Sequence, residues 1–160
     1  MAGWLKLLHV AVATGFIVGL VGRTMAFRFA RRATALPGVE PLLELSDWFD
    51  TRLVIPGSLL VLFSGSWAAI QGRWGLLTAS GRPTWVLVSL ALVAIPIPLI
   101  PTVLIPRRKA RAAALQRARE AGRLTPELRE ALDHPAVLRV RALELVVVAI
   151  VLGLMVLKPT

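Results

Sequence analysis

Apolar residues gather in four long runs along the chain, and most polar and charged residues lie between those runs. The runs are continuous instead of alternating, and each is near the ~20 helical residues that cross a ~30 Å hydrocarbon layer. The pattern predicts an all-α integral membrane protein, with residues 1–160 forming one transmembrane four-helix bundle. We place the four segments at about 5–27, 53–70, 85–105 and 142–157, with cytoplasmic loops at 28–52 and 106–141.

The two predicted loops contain helix signals of their own. In the first, Pro37-Gly38 indicates a turn, and the following PLLELSDWF predicts a short amphipathic helix along the membrane interface. In the second, an Ala/Arg-rich helix should end at Gly122. Thr125-Pro126 then matches an N-cap followed by proline at the first helical position, and the fourth segment should begin near Pro135.

The third segment carries prolines at 96, 98 and 101. Prolines at this spacing interrupt a straight helix and should leave backbone carbonyls without an N–H partner. These carbonyls would line a cavity or coordinate a cation, or the segment is a kinked helix buried in protein. The carbonyls concerned are those of Leu92, Ala94 and Ile97.

Charge predicts the orientation of the chain. Of 19 Lys and Arg residues, five lie between Arg23 and Arg52 and ten between Arg107 and Arg141. Loops rich in these residues stay in the cytoplasm. Both termini should therefore face outward, with a basic cytoplasmic loop between the third and fourth helices.

Composition excludes several classes of chemistry. The chain has no cysteine, so disulfides, thiolate catalysis and Fe–S ligation are excluded. The net charge of +10 is explained by topology and not by nucleic acid. The Ala/Arg-rich helix would bind anionic lipid headgroups or remain a solvated basic surface. Motifs of soluble enzymes are absent, so catalytic residues are unknown.

His9 is the one histidine within an apolar run, about five residues into the first segment. Histidine inside a membrane helix is a functional hypothesis, and haem b would be its cofactor, with Met155 at similar depth as the second axial ligand. The alternatives are a histidine hydrogen-bonded to a neighbouring helix and a methionine that only packs.

Four charged residues should meet near the cytoplasmic ends of the helices. Arg23 leaves the first segment, Asp50 and Arg52 flank the second, and Glu144 enters the fourth. Charges in such positions pair with one another. The cluster is either a clamp between helices or a proton or anion site.

Gly15, Gly19 and Gly22 form a small-residue stripe on the first segment. Such stripes allow close helix approach. The stripe would pack on small residues of the second segment, Gly57, Ser64 and Ala68, or mediate docking of a partner or a second copy of this chain.

The stretches WLKLLHV, FDTRLVIPGSLLVLFSGSWAAIQGRWG and LGLMVLKP resemble a bacterial family of four-helix membrane proteins, domain of unknown function 2269. The resemblance implies a multi-pass protein of the cell inner membrane. More distantly, the Lys-x-x-His start and the Lys-Pro end resemble the HemJ-type protoporphyrinogen IX oxidases. That resemblance implies haem b at His9, with Lys6, Arg23, Glu144 and Lys158 in comparable places, although the further histidines and third-helix lysine of that family are missing.

Two functions follow as hypotheses. The first is a haem-b-binding or redox membrane protein using His9. The second is a non-catalytic accessory subunit that docks a larger membrane complex or self-associates. A small-solute transporter ranks behind both, because no inverted repeat is visible.

Overall fold

The computed structural model describes residues 2–71 and 84–157, and these residues form helices joined by turns. Two of the helices are π-helical turns, at Asp50–Val54 and Ile100–Leu104. The α-helices are α1 (Ala2–Arg32), α2 (Leu36–Phe49), α3 (Ile55–Gln71), α4 (Thr84–Ala94), α5 (Ile105–Ala121), α6 (Pro126–Asp133) and α7 (Pro135–Leu157).

Three helical stretches of the described residues are long and apolar enough to cross a membrane: Gly3–Arg32, Leu36–Ala68 and Pro126–Leu157. They contain the first and fourth predicted segments and all but the last two residues of the second. α1 has 31 residues, which at 1.5 Å per residue gives ~46 Å and exceeds a ~30 Å hydrocarbon core. Residues 72–83, which follow the second predicted segment, and Lys158 of the Lys-Pro end lie outside the described residues.

The third predicted segment is not one helix. α4 ends at Ala94, tight turns follow over 95–98, and a π-helical turn leads into α5. The prediction that three carbonyls would lack an N–H partner was wrong, because the backbone N–H groups of residues 95, 97 and 100 donate to them. Bonds between residues three apart, as in a 3₁₀-helix, satisfy these carbonyls where proline prevents the α pattern. The bonded carbonyls are those of Leu92, Ala94 and Ile97.

The two predicted loops fold into a small packed unit beside the membrane helices. α2, α5 and α6 bury a common core with the end of α1 and the start of α7. α2 is the predicted amphipathic helix, with Leu43 buried and Leu45 and Trp48 exposed. The core includes Phe27, Ala30, Leu36, Val39, Leu43, Ala114, Ala118, Leu128, Leu132 and Val137.

The predicted helix boundaries of this unit are confirmed. Gly122 ends α5 with a φ of 63°, in the left-handed region that favours glycine. Thr125 caps α6, with its hydroxyl oxygen accepting the N–H of Leu128 at 3.4 Å, and Pro126 is the first helical residue. α7 begins at Pro135.

Arginine side chains tie this unit together. Arg119 of α5 pairs with Glu40 and Glu44 of α2. Arg129 of α6 donates to the carbonyls of Arg31 and Ala33, at 2.6 and 2.7 Å. The first carbonyl lies in the last turn of α1 and the second directly follows that helix, so neither has a helical N–H to accept from. The basic region is therefore partly a structural element rather than only a solvated surface.

Candidate functional site

Two glycines of the predicted stripe bring α1 against the first π-helical turn. A Cβ atom at Gly19 would lie 2.6 Å from the Cβ of Leu53, and one at Gly22 would lie 2.5 Å from the ring of Phe49. Both approaches are too close for any side chain. At Gly15 a Cβ would meet nothing within 4 Å. Only two members of the stripe therefore pack against a neighbouring helix of this chain.

The residue after Gly22 is the centre of an ion-pair cluster. Arg23 is buried and donates from Nη1 to Asp50 Oδ1 at 2.8 Å and from Nη2 to Glu144 Oε2 at 2.5 Å. Its side chain is 5% exposed, and those of Asp50 and Glu144 are 14% and 12% exposed. Charge-assisted bonds of this kind are about twice as strong as neutral ones. One guanidinium thus joins α1, the π-helical turn and α7.

Asp50, which pairs with Arg23, is the first residue of the π-helical turn, and residues two apart on a helix do not share a face. The N–H of Ile55 donates to the carbonyl of Asp50, five residues earlier, so this turn holds one residue more than an α-helical turn. Arg52, two residues further on, points to the other side of the helix and is exposed. It forms no ion pair within residues 2–71 and 84–157. The predicted four-residue cluster is therefore a cluster of three.

His9 contacts α3 through one ring nitrogen. Nδ1 lies 2.9 Å from Ser64 Oγ, and that hydroxyl donates its own hydrogen to the carbonyl of Leu60 at 2.6 Å. The serine oxygen can therefore accept a hydrogen from Nδ1, and in that tautomer Nε2 carries the lone pair. Gly65 makes room for the ring, since a Cβ there would lie 3.0 Å from His9 Cε1.

A cavity of about 710 Å³ runs between the helices from His9 to Arg23. We call its two limits the histidine end and the arginine end. The two residues are 14 positions apart on α1, which corresponds to ~21 Å. Most of the lining is apolar, and Met155 of α7 lies on the wall. The volume is within the ~300–1,000 Å³ of typical ligand pockets.

Arg141 of α7 is a site residue that the sequence analysis missed. It is buried, lines the arginine end, and lies over the ring of Phe27 at 4.0 Å from the centroid. Arg111 lies 5.5 Å from the same centroid. The available signal was its position three residues before Glu144, which places both on one face of α7.

Residues 2–71 and 84–157 hold no group of three or more His, Cys, Asp or Glu side chains able to bind a metal ion. The second histidine, His134, lies away from the cavity, and its Nδ1 accepts the N–H of Ala136 at 3.3 Å at the start of α7. Among the two histidines, only His9 faces the cavity.

The sequence matches the family described as "Predicted integral membrane protein (DUF2269)" over residues 3–159. The chain belongs to this family. Membership confirms the first resemblance and the class of integral membrane protein, whereas the resemblance to the HemJ-type oxidases stays a prediction. No curated protein and no solved structure matches the chain. The function of this DUF2269 protein must therefore be argued from its own residues.

Proposed function

We propose that this DUF2269 protein is a multi-pass protein of the bacterial inner membrane with both termini outside. The distribution of Lys and Arg supports this orientation, because the regions 23–52 and 107–141 carry 15 of the 19. Three crossings would be the three long apolar helical stretches. The remaining one, which corresponds to the third predicted segment, would consist of α4, the turns after it and the second π-helical turn. α4 and this π-helical turn both pack against α7, which supports a four-helix bundle.

Within that bundle, the proposed function is binding of haem b through His9. The observation that carries the proposal is the hydrogen bond from Nδ1 to Ser64, which leaves Nε2 as a lone-pair donor on a residue that lines the cavity. A histidine that binds a metal through one ring nitrogen is commonly oriented by a hydrogen bond at the other ring nitrogen. Met155, on the cavity wall, would be the candidate for a second residue that holds the haem iron. A bound haem would supply one-electron redox chemistry.

The cavity also restricts how a haem would lie. Its lining cations are all arginines at the arginine end, ~21 Å from His9 along α1. The haem carboxylates would therefore face the surface beyond the histidine end, where Lys6 is exposed. Ligation by His9 fits the residues present, and carboxylate binding by the buried arginines does not.

An absorption spectrum tests this proposal. The protein is purified in mild detergent after expression with added haem precursor, and spectra are recorded before and after dithionite. We expect a Soret band that shifts on reduction, disappears in His9→Ala and persists in the matched variant His134→Ala. A Met155→Leu change should shift the band without removing it. A colourless wild-type protein, also after haem is supplied, would overturn the proposal.

The second candidate function is a non-catalytic subunit that docks a partner or a second copy. Its support is the exposed charge: eight Lys and Arg of the predicted cytoplasmic side are exposed and form no ion pair within the described part of the chain. Such a surface would bind anionic headgroups or an acidic partner. These residues are Arg28, Arg32, Arg52, Arg107, Lys109, Arg117, Arg123 and Arg139.

The glycine stripe can contribute less to docking than predicted. Gly19 and Gly22 already contact other helices of the same chain, so only Gly15 remains open to a partner. Size and co-purifying proteins in mild detergent, compared between wild type and Gly15→Leu, test this role. A wild-type monomer without partners would exclude docking through Gly15.

A further inference from the structure

Arg141 lines the cavity and forms no hydrogen bond or ion pair within residues 2–71 and 84–157. The residue is 7% exposed, and its Nη1 has no hydrogen-bond partner within residues 2–71 and 84–157. A buried guanidinium is normally paired, because moving a charge out of water is costly. Its contact with the ring of Phe27 offsets part of that cost but offers no acceptor. The missing element is an anion.

The neighbouring carboxylates are already bound to other arginines. Asp50 and Glu144 both accept from Arg23. Asp47 accepts from Arg111 at 2.6 Å and lies 3.7 Å from Arg108. Three carboxylates thus face five lining arginines, which leaves two positive charges in excess. One belongs to exposed Arg107, which water screens, and the other remains in the buried part of the cavity. The lining arginines are Arg23, Arg107, Arg108, Arg111 and Arg141.

The rest of the cavity is suited to hydrocarbon. From the arginine end it continues along α1 past Leu20, Phe16 and Ala13, opposite Val147 and Val151 of α7. Its ~21 Å length matches or exceeds one leaflet of a ~30 Å hydrocarbon core. A volume of about 710 Å³ is of the size that holds one drug-sized molecule.

We propose that the cavity binds a single-chain lipid anion, with its phosphate or carboxylate headgroup on Arg141 and its chain extending along α1 toward His9. The headgroup supplies an acceptor for the guanidinium of Arg141, which has none in the described residues, and the chain fills the apolar length. This site does not depend on haem, because its polar contact is at the arginine end. A long chain would, however, compete with any ligand at the histidine end.

Equilibrium binding of radiolabelled hexadecyl phosphate and palmitate to the full chain in mild detergent tests the proposal. We expect saturable binding of at least one of the two, and their relative affinities decide between a phosphate and a carboxylate headgroup. Arg141→Gln should weaken binding by about 10- to 100-fold, the range for a lost hydrogen bond to a charged group. The matched control is Arg139→Gln, an exposed residue of the same helix without an ion pair, and it should bind as wild type.

A second variant keeps the test valid if Arg141→Gln fails to fold. Val151→Phe fills the apolar part while leaving the arginines in place, and it should also weaken binding. Methyl palmitate, which lacks the charge, and inorganic phosphate, which lacks the chain, should both fail to compete at equal concentration. Unchanged binding in folded Arg141→Gln, or equal competition by either probe, would overturn the proposal. His9→Ala should leave headgroup-dependent binding intact while removing any haem band, so the two proposals fail separately.

Discussion

Replacing Arg23 with methionine removes the one cation that Asp50 and Glu144 share. Both carboxylates are largely buried, and both use Arg23 as their ion-pair partner. Removing one partner of a buried pair costs about 3–5 kcal/mol, because the charge that remains is neither solvated nor paired. Methionine retains much of the side-chain volume, so the loss reports the charge more than a cavity.

Arg119 provides a matched control. It too pairs with two carboxylates, Glu40 and Glu44, but it is 40% exposed. Exposed pairs contribute only about 0–1 kcal/mol, since water replaces the lost partner. Arg119→Met should therefore be nearly neutral. The two variants remove the same number of ion pairs and differ mainly in burial.

Thermal unfolding in mild detergent, followed by intrinsic tryptophan fluorescence, measures the difference. For a chain of this size a loss of 1 kcal/mol lowers Tm by roughly 2–4 °C. Arg23→Met should then lower Tm by about 6–20 °C, and Arg119→Met by no more than about 4 °C.

A triple variant separates unpaired charge from lost packing. Arg23→Met combined with Asp50→Asn and Glu144→Gln leaves no charge in the cluster, so it should recover most of the lost stability. Two results would refute the reasoning: a Tm for Arg23→Met equal to that of Arg119→Met, or a triple variant no more stable than Arg23→Met alone.

Two further predictions concern packing and orientation. Gly22→Leu should lower the free energy of unfolding by about 1–3 kcal/mol, because even its Cβ would force the ring of Phe49 to shift. Gly15→Leu should change it by less than about 0.5 kcal/mol, and equal losses in the same thermal assay would contradict this. Because the chain has no cysteine, Gly3→Cys and Arg117→Cys report orientation through a membrane-impermeant maleimide. We expect labelling of Gly3→Cys in intact spheroplasts and of Arg117→Cys only after permeabilisation, and the reverse pattern would contradict outward termini.

Three of the four residues predicted for the ion-pair cluster do form it. Arg23, Asp50 and Glu144 were predicted to meet because they lie at a similar depth in their helices, and charged residues at one depth in a membrane pair with one another. Arg52 was expected to join them and does not. The reason is the spacing: residues two apart on a helix do not share a face, so Asp50 and Arg52 cannot both face Arg23. The π-helical turn at Asp50–Val54 was not predicted, because neither the pattern nor the propensities of those residues indicated it.

Arg141 shows a second limit. Near the start of an apolar helix, an arginine usually marks the cytoplasmic side, and the sequence signal for its burial was only its spacing of three residues from Glu144. Its burial depends on Phe27 of α1 and on Arg111 of α5, which come from distant parts of the chain. Only their packing buries this guanidinium beside a cavity and leaves its Nη1 without an acceptor within the described residues.

The sequence by itself determined the membrane class, three helical stretches long and apolar enough to span a membrane, and the helix boundaries at Gly122, Thr125 and Pro135. These features rest on local physics: apolar length against the bilayer, left-handed φ at glycine, and capping of free N–H groups. The tertiary structure alone decided the π-helical turn and the cavity between His9 and Arg141. It also decided that Gly19 and Gly22 pack against other helices of the chain while Gly15 does not. These depend on how closely distant helices approach, and that distance is set by contacts between side chains far apart in the chain.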